Sequence, residues 1–288
     1  MSLRINTNVD AIDVQRNMML TATRYSDSVR KLSSGLRINS AADDAAGLSI
    51  SQKLTSEING LGQAQRNAQD GISLIQTGEG ALNETQSILQ RMNELAVQAS
   101  NGTLNTTDEK AIASELVQLQ GAIDNIGSQT QFNGVQLLNA TSTVTLQVGA
   151  NQGETLTVSL TNMTSVSVGT VSGGAASLSA AVASFNADTT TASYVADAGA
   201  LLNSIQQAIS DVSAQRASFG ASQNRLQDTI DNLAVGQENM TASNSRIRDV
   251  DMAAEMVNFT KLGILQQAGT SILAQANSSS QGVLQLLR

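Results

Sequence analysis

The side chains that most often perform covalent chemistry are missing from this chain of 288 residues, which contains no His and no Cys. Without His, a Ser-His-Asp or Cys-His arrangement is excluded, and so are the H-E-x-x-H motif and the usual zinc ligand sets. Without Cys there is neither a disulfide framework nor a thiolate metal site. The sequence therefore predicts a protein that is not an enzyme, with no catalytic residues, no metal ligands and no cofactor.

The charged side chains are distributed unevenly within a net charge of −8. Residues 1–37 carry six basic and three acidic side chains, whereas residues 140–200 carry three acids and no Lys or Arg. An acidic chain without a basic stripe predicts no nucleic-acid binding. No apolar run reaches the ~18 residues of a membrane span, and the first residues lack the apolar region of a signal peptide. We therefore expect neither membrane insertion nor a cleaved signal.

The elements that would position any functional group are dominated by a seven-residue apolar repeat near the C-terminus. This heptad seam consists of Ile205, Val212, Phe219, Leu226, Leu233, Met240 and Ile247. A strict repeat of this kind predicts a left-handed supercoil, and at ~1.5 Å per residue the helix would be about 65 Å long. The second position of the seam is apolar only at Ile209 and Ile230. The pattern therefore favours a bundle of several helices over a single pair.

Helical spacing also covers residues 1–36 and 44–127. A break is expected around Gly35 and Asn39, after which Ser40 and Asp43 match a capping box that would open the next helix. Three glycines within the second region weaken it and permit a kink or a helix end: Gly71, Gly78 and Gly80. Asp108 is the expected cap of a further helix that follows the turn at 101–107.

From Asn133 onward the apolar period changes from that of a helix to that of a strand. Two alternating segments, 144–148 and 156–160, flank turn-forming residues 149–154 and predict a β-hairpin. Val166 and Val168 are expected to continue the sheet. Residues 170–200, rich in Ala, Ser, Thr and Gly, are expected to form the most exposed, loop-like part. The predicted fold is mainly α, a long antiparallel helical bundle or coiled-coil rod with a small β-hairpin region.

The C-terminal segment, 250–288, combines helical spacing with residues that weaken a helix, among them Gly263, Gly269 and Gly282. A single helix of this composition is marginal in water, where packing supplies most helical stability. Two interpretations remain open at this point. The segment either folds on contact with partner molecules or forms a frayed terminal helix that covers its own domain.

Four motifs closely resemble those of bacterial flagellins. They are LSSGLRINSAADDAAGL at 32–48, QTQFNGV at 129–135, GILQQAGTSILAQAN at 263–277 and VLQLLR at 283–288. The resemblance implies that residues 1–44 and 247–288 pair as a terminal helical domain at the inside of a filament. It also implies a rod-like helical domain from 45–140 and 201–246, and a β-hairpin and exposed variable segment at 141–200. The chain is thus expected to be a short flagellin with a minimal central region.

The resemblance implies a structural subunit that polymerises with copies of itself into the extracellular flagellar filament used for motility. It implies export in an unfolded state through the flagellar type III channel, with an export chaperone bound at the C-terminal segment. Filament cap and junction proteins are the other expected partners. The apolar positions expected to be buried on assembly are Leu3, Ile5, Val9, Ile12, Met19, Phe259, Leu265, Ile272, Val283, Leu286 and Leu287.

The stretch QRMNELAVQ at 90–98 resembles the part of flagellin that an animal Toll-like receptor recognises. By that resemblance the recognition residues are Gln90, Arg91, Leu95, Gln98 and Glu115. In this interpretation Arg91 pairs with an acceptor while Leu95 fills an apolar notch of the receptor. Asn93 stands where strongly recognised members of the family carry a basic residue.

Three alternatives compete with a flagellin. A hook–filament junction protein shares the terminal design, but QRMNELAVQ and the closing LLR favour flagellin. A metalloprotease inserted in the middle segment is excluded because the chain has no His. A cytoplasmic coiled-coil scaffold without export is the third alternative, and it predicts that the protein is absent outside cells.

Overall fold

The structure is a computed structural model that describes residues 8–169, 177–188 and 190–286, with the backbone alone for 191 and 279–286. The elements are α1 (Val9–Ser34), α2 (Ala45–Ala99), α3 (Thr106–Gln129), β1 (Gln131–Phe132), β2 (Val135–Gln136), β3 (Ser142–Gln147), β4 (Thr155–Leu160), α4 (Leu178–Ala187), α5 (Thr191–Arg248) and α6 (Met252–Leu286). The mainly helical fold is confirmed. The chain divides into two compact units: unit 1 is Met1–Ile58 with Glu238–Arg288, and unit 2 is Asn59–Gln237.

The first helix begins and ends where its sequence supplies caps. The Asn8 side chain accepts a hydrogen bond from the backbone N–H of Ala11, which satisfies one of the free donors of the first turn. Gly35 ends α1 with φ at +70° and donates its N–H to the carbonyl of Lys31. A left-handed residue at this position is strained for any side chain larger than hydrogen, so glycine is required. The break predicted at Gly35 is confirmed.

The starts of the next two helices differ from the prediction. The carboxylate of Asp43 accepts hydrogen bonds from the backbone N–H groups of Asn39 and Ser40, and so closes a turn before the helix. The cap of α2 is Asp44, whose Oδ1 accepts from the N–H of Gly47 at 2.8 Å. Likewise α3 is capped by Asn105 and not by Asp108. A motif alone does not say which of two adjacent polar residues will meet the free N–H groups.

The core of unit 2 packs α2 against α5 in antiparallel order. The three glycines of α2 do not interrupt it, and Gly78 lies directly beneath the Phe219 ring. Four seam residues are fully buried, namely Ile205, Val212, Phe219 and Leu226. The seam continues as half-buried side chains at Leu233, Met240 and Ile247. Coiled-coil packing of the seam is therefore tight only in its first half.

The predicted hairpin is confirmed, and it packs along α2. Strands β3 and β4 pair antiparallel with Val144 opposite Val158. The side-chain amide of Asn67 donates to the carbonyl of Gln147 at 2.9 Å. A Cβ built on Gly71 would meet the end of the Leu146 side chain, so any larger residue at this position would require Leu146 to move.

The expectations for the described residues between 166 and 200 are wrong, while residues 170–176 and 189 lie outside the described residues. Val166 and Val168 lie in a turn segment and extend no strand. Instead of an exposed loop, the chain forms α4 and then enters α5 at Thr191. Phe185 and Tyr194 are fully buried, with ring centroids 5.1 Å apart in an edge-to-face arrangement. The sequence does contain a signal for the helix α4, because apolar residues recur at helical spacing: Leu178, Ala181, Val182 and Phe185.

Candidate assembly and recognition surfaces

In unit 1 the terminal helices α1 and α6 pair antiparallel along their length. The hydroxyl of Ser28 donates to Oε1 of Glu255 at 2.5 Å, and the rings of Tyr25 and Phe259 stack at 4.9 Å. Further along, the Asn8 side chain donates to the carbonyl of Ala276 at 3.0 Å. A buried polar pair beside a ring stack sets one register, since a shift of either helix would leave a polar group without its partner.

Backbone hydrogen bonds join the segment after α1 to the segment before α6. The N–H of Arg37 donates to the carbonyl of Arg248 at 2.7 Å, and the N–H of Val250 donates to the carbonyl of Gly35 at 3.0 Å. The Arg37 guanidinium also donates to the carbonyl of Ile247 at 2.6 Å. These bonds satisfy backbone groups at the ends of two helices and hold α1 beside α6 at this end of the pair.

Nearby, Asp43 is an ionised anchor of the same junction. Hydrogen bonds from the backbone N–H of Ser40, then of Asn39, hold the pKa of Asp43 below its usual value, with a smaller contribution from the charge of Arg30. Arg30 and Asp43 form an ion pair at 3.2 Å. The anion is favoured because it accepts N–H groups that would otherwise point to solvent.

Unit 1 has almost no apolar core of its own among its described residues. Ile38 is its one buried large apolar side chain, and the other buried side chains are the polar Ser28 and Ser51. Yet α1 and α6 expose eleven large apolar side chains: Val9, Ile12, Met19, Leu20, Val29, Met252, Met256, Val257, Ile264, Leu265 and Ile272. We call this set the exposed apolar set. Exposed apolar side chains gathered on two paired helices make this set a candidate interaction surface.

The residues predicted for assembly fall into three groups. Five belong to the exposed apolar set: Val9, Ile12, Met19, Leu265 and Ile272. Phe259 is half-buried and faces Tyr25 of α1. Leu3, Ile5 and Leu287 lie outside the described residues, and Val283 and Leu286 belong to a part of α6 for which only the backbone is described.

Several members of the exposed apolar set were missed by sequence reasoning, among them Leu20, Val257 and Ile264. Val257 is 69% exposed and Ile264 is 64% exposed, on the side of α6 turned away from the stacked Phe259. The available signal was that apolar residues on α6 are not confined to one stripe. A helix that is apolar on several sides requires more than one partner.

The predicted recognition residues lie in unit 2, on α2 and α3. Arg91 donates to Oε1 of Glu115 at 2.9 Å and to Oε2 of Glu94 at 3.2 Å, and these bonds raise the pKa of Arg91. Gln90 and Gln98 are exposed. The structure thus brings Arg91 and Glu115 together as a surface ion pair joining two helices.

Leu95 does not belong to this surface. It is 2% exposed and lies in the core of unit 2, so the expectation that it offers an apolar side chain to a receptor is wrong. Burial follows from its position three residues after Met92, which is also in the core. The exposed part of the predicted site consists of Gln90, Arg91, Gln98 and Glu115.

The described residues contain neither a cluster of potential metal ligands nor a helix suited to span a membrane. Across residues 8–169, 177–188 and 190–286, no three potential metal-ligating side chains lie close enough together to hold an ion. In the same part of the chain, no helix is long and apolar enough to cross a membrane.

The chain matches two family models that together cover most of it. Residues 5–143 match the bacterial flagellin N-terminal helical region, and residues 202–287 match the bacterial flagellin C-terminal helical region. The chain is 50% identical to a flagellin of Halalkalibacterium halodurans over 285 residues, which covers 99% of each chain. It is 46% identical to a flagellin of Bacillus subtilis, with 99% of this chain and 100% of the relative covered.

Among solved structures, a candidate flagellar hook-associated protein from Vibrio parahaemolyticus superposes with a TM-score of 0.60. The match covers 72% of this chain and all of that one, at 18% identity, which supports the fold alone. Identity over the full length with the two flagellins is far higher. From the two family models and these full-length relatives we conclude that the chain belongs to the bacterial flagellin family.

Proposed function

We propose that this chain is a structural subunit that polymerises with copies of itself into the bacterial flagellar filament, outside the cell. The observation that carries the proposal is a contrast among the described residues of unit 1, where α1 and α6 expose eleven large apolar side chains while Ile38 is the one large apolar side chain that is buried. Membership of the flagellin family supports the same role. The chain is proposed to have no catalytic activity.

The energetics favour a polymer over a closed dimer. Burying one Leu or Ile side chain contributes about 1.5–3 kcal/mol, so covering even a few members of the exposed apolar set offsets the cost of association. Because the set lies on more than one side of the helix pair, one neighbouring copy cannot cover all of it. Heterologous contacts that do not close generate open helical filaments.

In the filament we propose the arrangement that the family resemblance implies. Residues 1–44 and 247–288 would form the inner helical domain, and residues 45–140 with 201–246 would form the rod-like domain. Residues 141–200 would face outward, although the buried aromatic pair Phe185 and Tyr194 makes this segment a packed part of unit 2. Contacts with cap and junction proteins would use the same terminal surfaces.

Export is proposed to occur in an unfolded state through the flagellar type III channel. An export chaperone is proposed to bind the C-terminal segment, in the manner of an amphipathic helix laid into a groove. Support comes from α6, whose apolar side chains Val257, Ile264 and Ile272 are exposed in the isolated chain and need a cover before assembly.

Recognition by an animal Toll-like receptor is proposed through Gln90, Arg91, Gln98 and Glu115. Their exposure and the Arg91–Glu115 pair support the proposal, because a guanidinium with a fixed orientation is a good anchor for a partner carboxylate. An Arg91→Ala protein should signal at least tenfold less in a receptor reporter assay. Arg66→Ala removes an exposed arginine of the same helix whose guanidinium donates to nearby Gln63, and it should signal as the parent does.

Polymerisation is tested by electron microscopy of the purified chain after addition of a kosmotropic salt, which strengthens apolar burial. The parent should form long uniform filaments, and the double variant Ile264→Ser with Ile272→Ser should remain monomeric with unchanged helicity. Val166→Ser is the matched control, since Val166 is 66% exposed but lies in unit 2. Filaments of equal length from parent and double variant would overturn the proposal.

A hook–filament junction protein is the second candidate, because it shares the design of the chain termini. Its terminal helices would also expose apolar surface, but assembly would stop after a short ring. Growth of long filaments from seeds by the parent chain alone would exclude this candidate.

A further inference from the structure

The oxidisable side chains of this chain are concentrated in one residue type. The sequence contains no Cys, no Trp and no His, but eight Met. A methionine thioether reacts with peroxides to give a sulfoxide, which turns a flexible apolar side chain into a polar one. The effect of a mild oxidant on this protein is therefore decided by where its methionines lie.

Three methionines are exposed, and all three belong to the exposed apolar set of unit 1. Met19 on α1 is 61% exposed, while Met252 and Met256 on α6 are 48% and 49% exposed. In unit 2, Met92 is fully buried and Met163 is 3% exposed. Met18 and Met240 are half-buried, and Met1 lies outside the described residues. Among the described methionines, the exposed ones therefore all lie in unit 1 and the buried ones lie in unit 2, as is also true of most large apolar side chains of the two units.

The surroundings of the exposed methionines are apolar and open. Met256 lies beside Val257 and about two helical turns before Ile264, both of which are more than 60% exposed. Met19 is adjacent to exposed Leu20 and two turns after Ile12. An oxidant in solution can reach these sulfurs in the monomer, and a polar sulfoxide there would sit within surface that assembly has to bury.

We propose that Met19, Met252 and Met256 are a peroxide-sensitive site that controls polymerisation. The inference rests on the proposed filament function. In the reaction the thioether sulfur forms a bond to one peroxide oxygen while the O–O bond breaks, so the sulfide is oxidised and the peroxide is reduced to water. The sulfoxide keeps its hydration in the monomer and loses it in the polymer, which disfavours assembly and leaves the folded core of unit 2 intact.

Assembly itself protects the site. Once neighbouring copies cover the exposed apolar set, the three sulfurs are no longer in contact with solvent, so filaments should resist the same peroxide dose that modifies monomers. Oxidation would then act on subunits before assembly and spare finished polymer. Because sulfoxides are reduced enzymatically, the effect is reversible.

The first experiment is peptide mapping by mass spectrometry of the full chain after limiting hydrogen peroxide. Met19, Met252 and Met256 should gain oxygen well before Met92 and Met163. Equal rates at all five sites, or faster oxidation of the two buried ones, would overturn the proposal. This measurement does not depend on polymerisation, so it is decided even if the proposed filament function fails.

The second experiment compares polymerisation before and after the same treatment. Oxidised parent should lose at least tenfold in filament yield and recover it after incubation with methionine sulfoxide reductases A and B. In the triple variant Met19→Leu, Met252→Leu and Met256→Leu, peroxide should leave the filament yield equal to that variant's own untreated yield. The matched control, Met92→Leu with Met163→Leu, should remain sensitive.

The outcomes separate the two proposals. If the untreated parent forms no filaments, the proposed function fails, and the peptide mapping alone decides whether the three exposed methionines are oxidised first. If the untreated parent polymerises and the mapped, oxidised parent polymerises equally well, the peroxide-sensitive site is refuted and the filament function is retained. Loss of assembly by the oxidised triple variant would also refute it.

Discussion

The terminal helices of unit 1 and the core helices of unit 2 both carry regularly spaced apolar residues. Those in the core of unit 2 are buried, whereas many of those in unit 1 are exposed. In unit 2, Phe219 and Leu226 on α5 are fully buried against other elements of the same chain. In unit 1, Val257 and Ile264 on α6 are apolar and regularly spaced but more than 60% exposed. Helical periodicity therefore indicates that a face will be buried, but it does not say whether the cover comes from the same molecule.

The polar contacts of the two units show the same difference. In unit 2, Gln215 is buried and its amide donates to the carbonyl of Ser159 at 2.9 Å, inside a closed apolar cluster. In unit 1 the Ser28–Glu255 bond and the Tyr25–Phe259 stack hold two helices together without enclosing a core. Unit 1 has a defined register but depends on outside surface for its apolar burial.

The largest expected effect comes from truncating one large side chain in each unit. Phe219→Ala should lower the free energy of unfolding by about 3–5 kcal/mol, because it leaves a cavity in a packed core. Ile264→Ala should change the stability of the monomer by less than about 0.5 kcal/mol, since that side chain is mostly in water. Urea unfolding of both monomers measures the difference. Equal losses of unfolding free energy in the two variants would contradict the conclusion that Phe219 lies in a packed core while Ile264 lies on an open surface.

A smaller effect is expected from adding a methyl group to two glycines of α2. A Cβ at position 78 would lie 2.8 Å from Cε2 of the buried Phe219 ring, so Gly78→Ala should cost about 1–3 kcal/mol. A Cβ at position 80 would meet nothing within 4 Å. Gly80→Ala should therefore stabilise by up to about 1 kcal/mol through helix propensity. Thermal unfolding checks both, and a stabilising Gly78→Ala would show that the core of unit 2 is loosely packed.

The smallest expected effect is the pH dependence of the stability that one carboxylate contributes in each unit, and the two contributions have opposite signs. The pKa of Asp43 is lowered, so its stabilisation of unit 1 is present above the ordinary value of 3.8 and lost as pH falls through the folded pKa. Burial, and then repulsion from Asp197, raises the pKa of Asp188. The contribution of Asp188 to the stability of unit 2 is therefore fully present below 3.8 and is lost as pH rises through the folded pKa of Asp188.

Two isosteric variants test this sign difference. At neutral pH, Asp188→Asn should raise protection of unit 2 from hydrogen exchange, because its buried Oδ2 has no hydrogen-bond partner in the described residues. Asp43→Asn should lower protection in unit 1, and both differences should shrink near pH 3. Changes of the same sign at neutral pH would contradict the assignment.

Much of the fold could be predicted because its signals are local. The heptad seam predicted a long helix through Ile205–Ile247, and alternation around Val144 and Val158 predicted the hairpin. The helix α4 was missed because an Ala- and Ser-rich composition obscured an otherwise regular apolar spacing. The caps at Asp44 and Asn105 were misplaced by four and three residues, since several polar residues compete for the same free N–H groups.

The candidate surfaces were less predictable than the fold. The motif at 90–98 placed Arg91 and Glu115 within one pair, but it did not reveal that Leu95 is buried. Likewise α6 was expected to be apolar, while the separation of Phe259, which faces α1, from Val257, which faces solvent, needed the helix pair itself. Exposure depends on which face a distant segment covers, and this information is absent from spacing.

By itself, the amino-acid sequence determined that this protein is a helical member of the flagellin family with weakly stable apolar ends. Composition excludes chemistry and short-range periodicity specifies helices, and both are local properties. Only the tertiary structure decided that the seam is fully buried from Ile205 to Leu226 but half-buried from Leu233 to Ile247. The physical reason is that burial requires a partner surface. Apolar residues in the middle of the chain are covered by other parts of the same chain, whereas those of the terminal helices need other molecules to cover them.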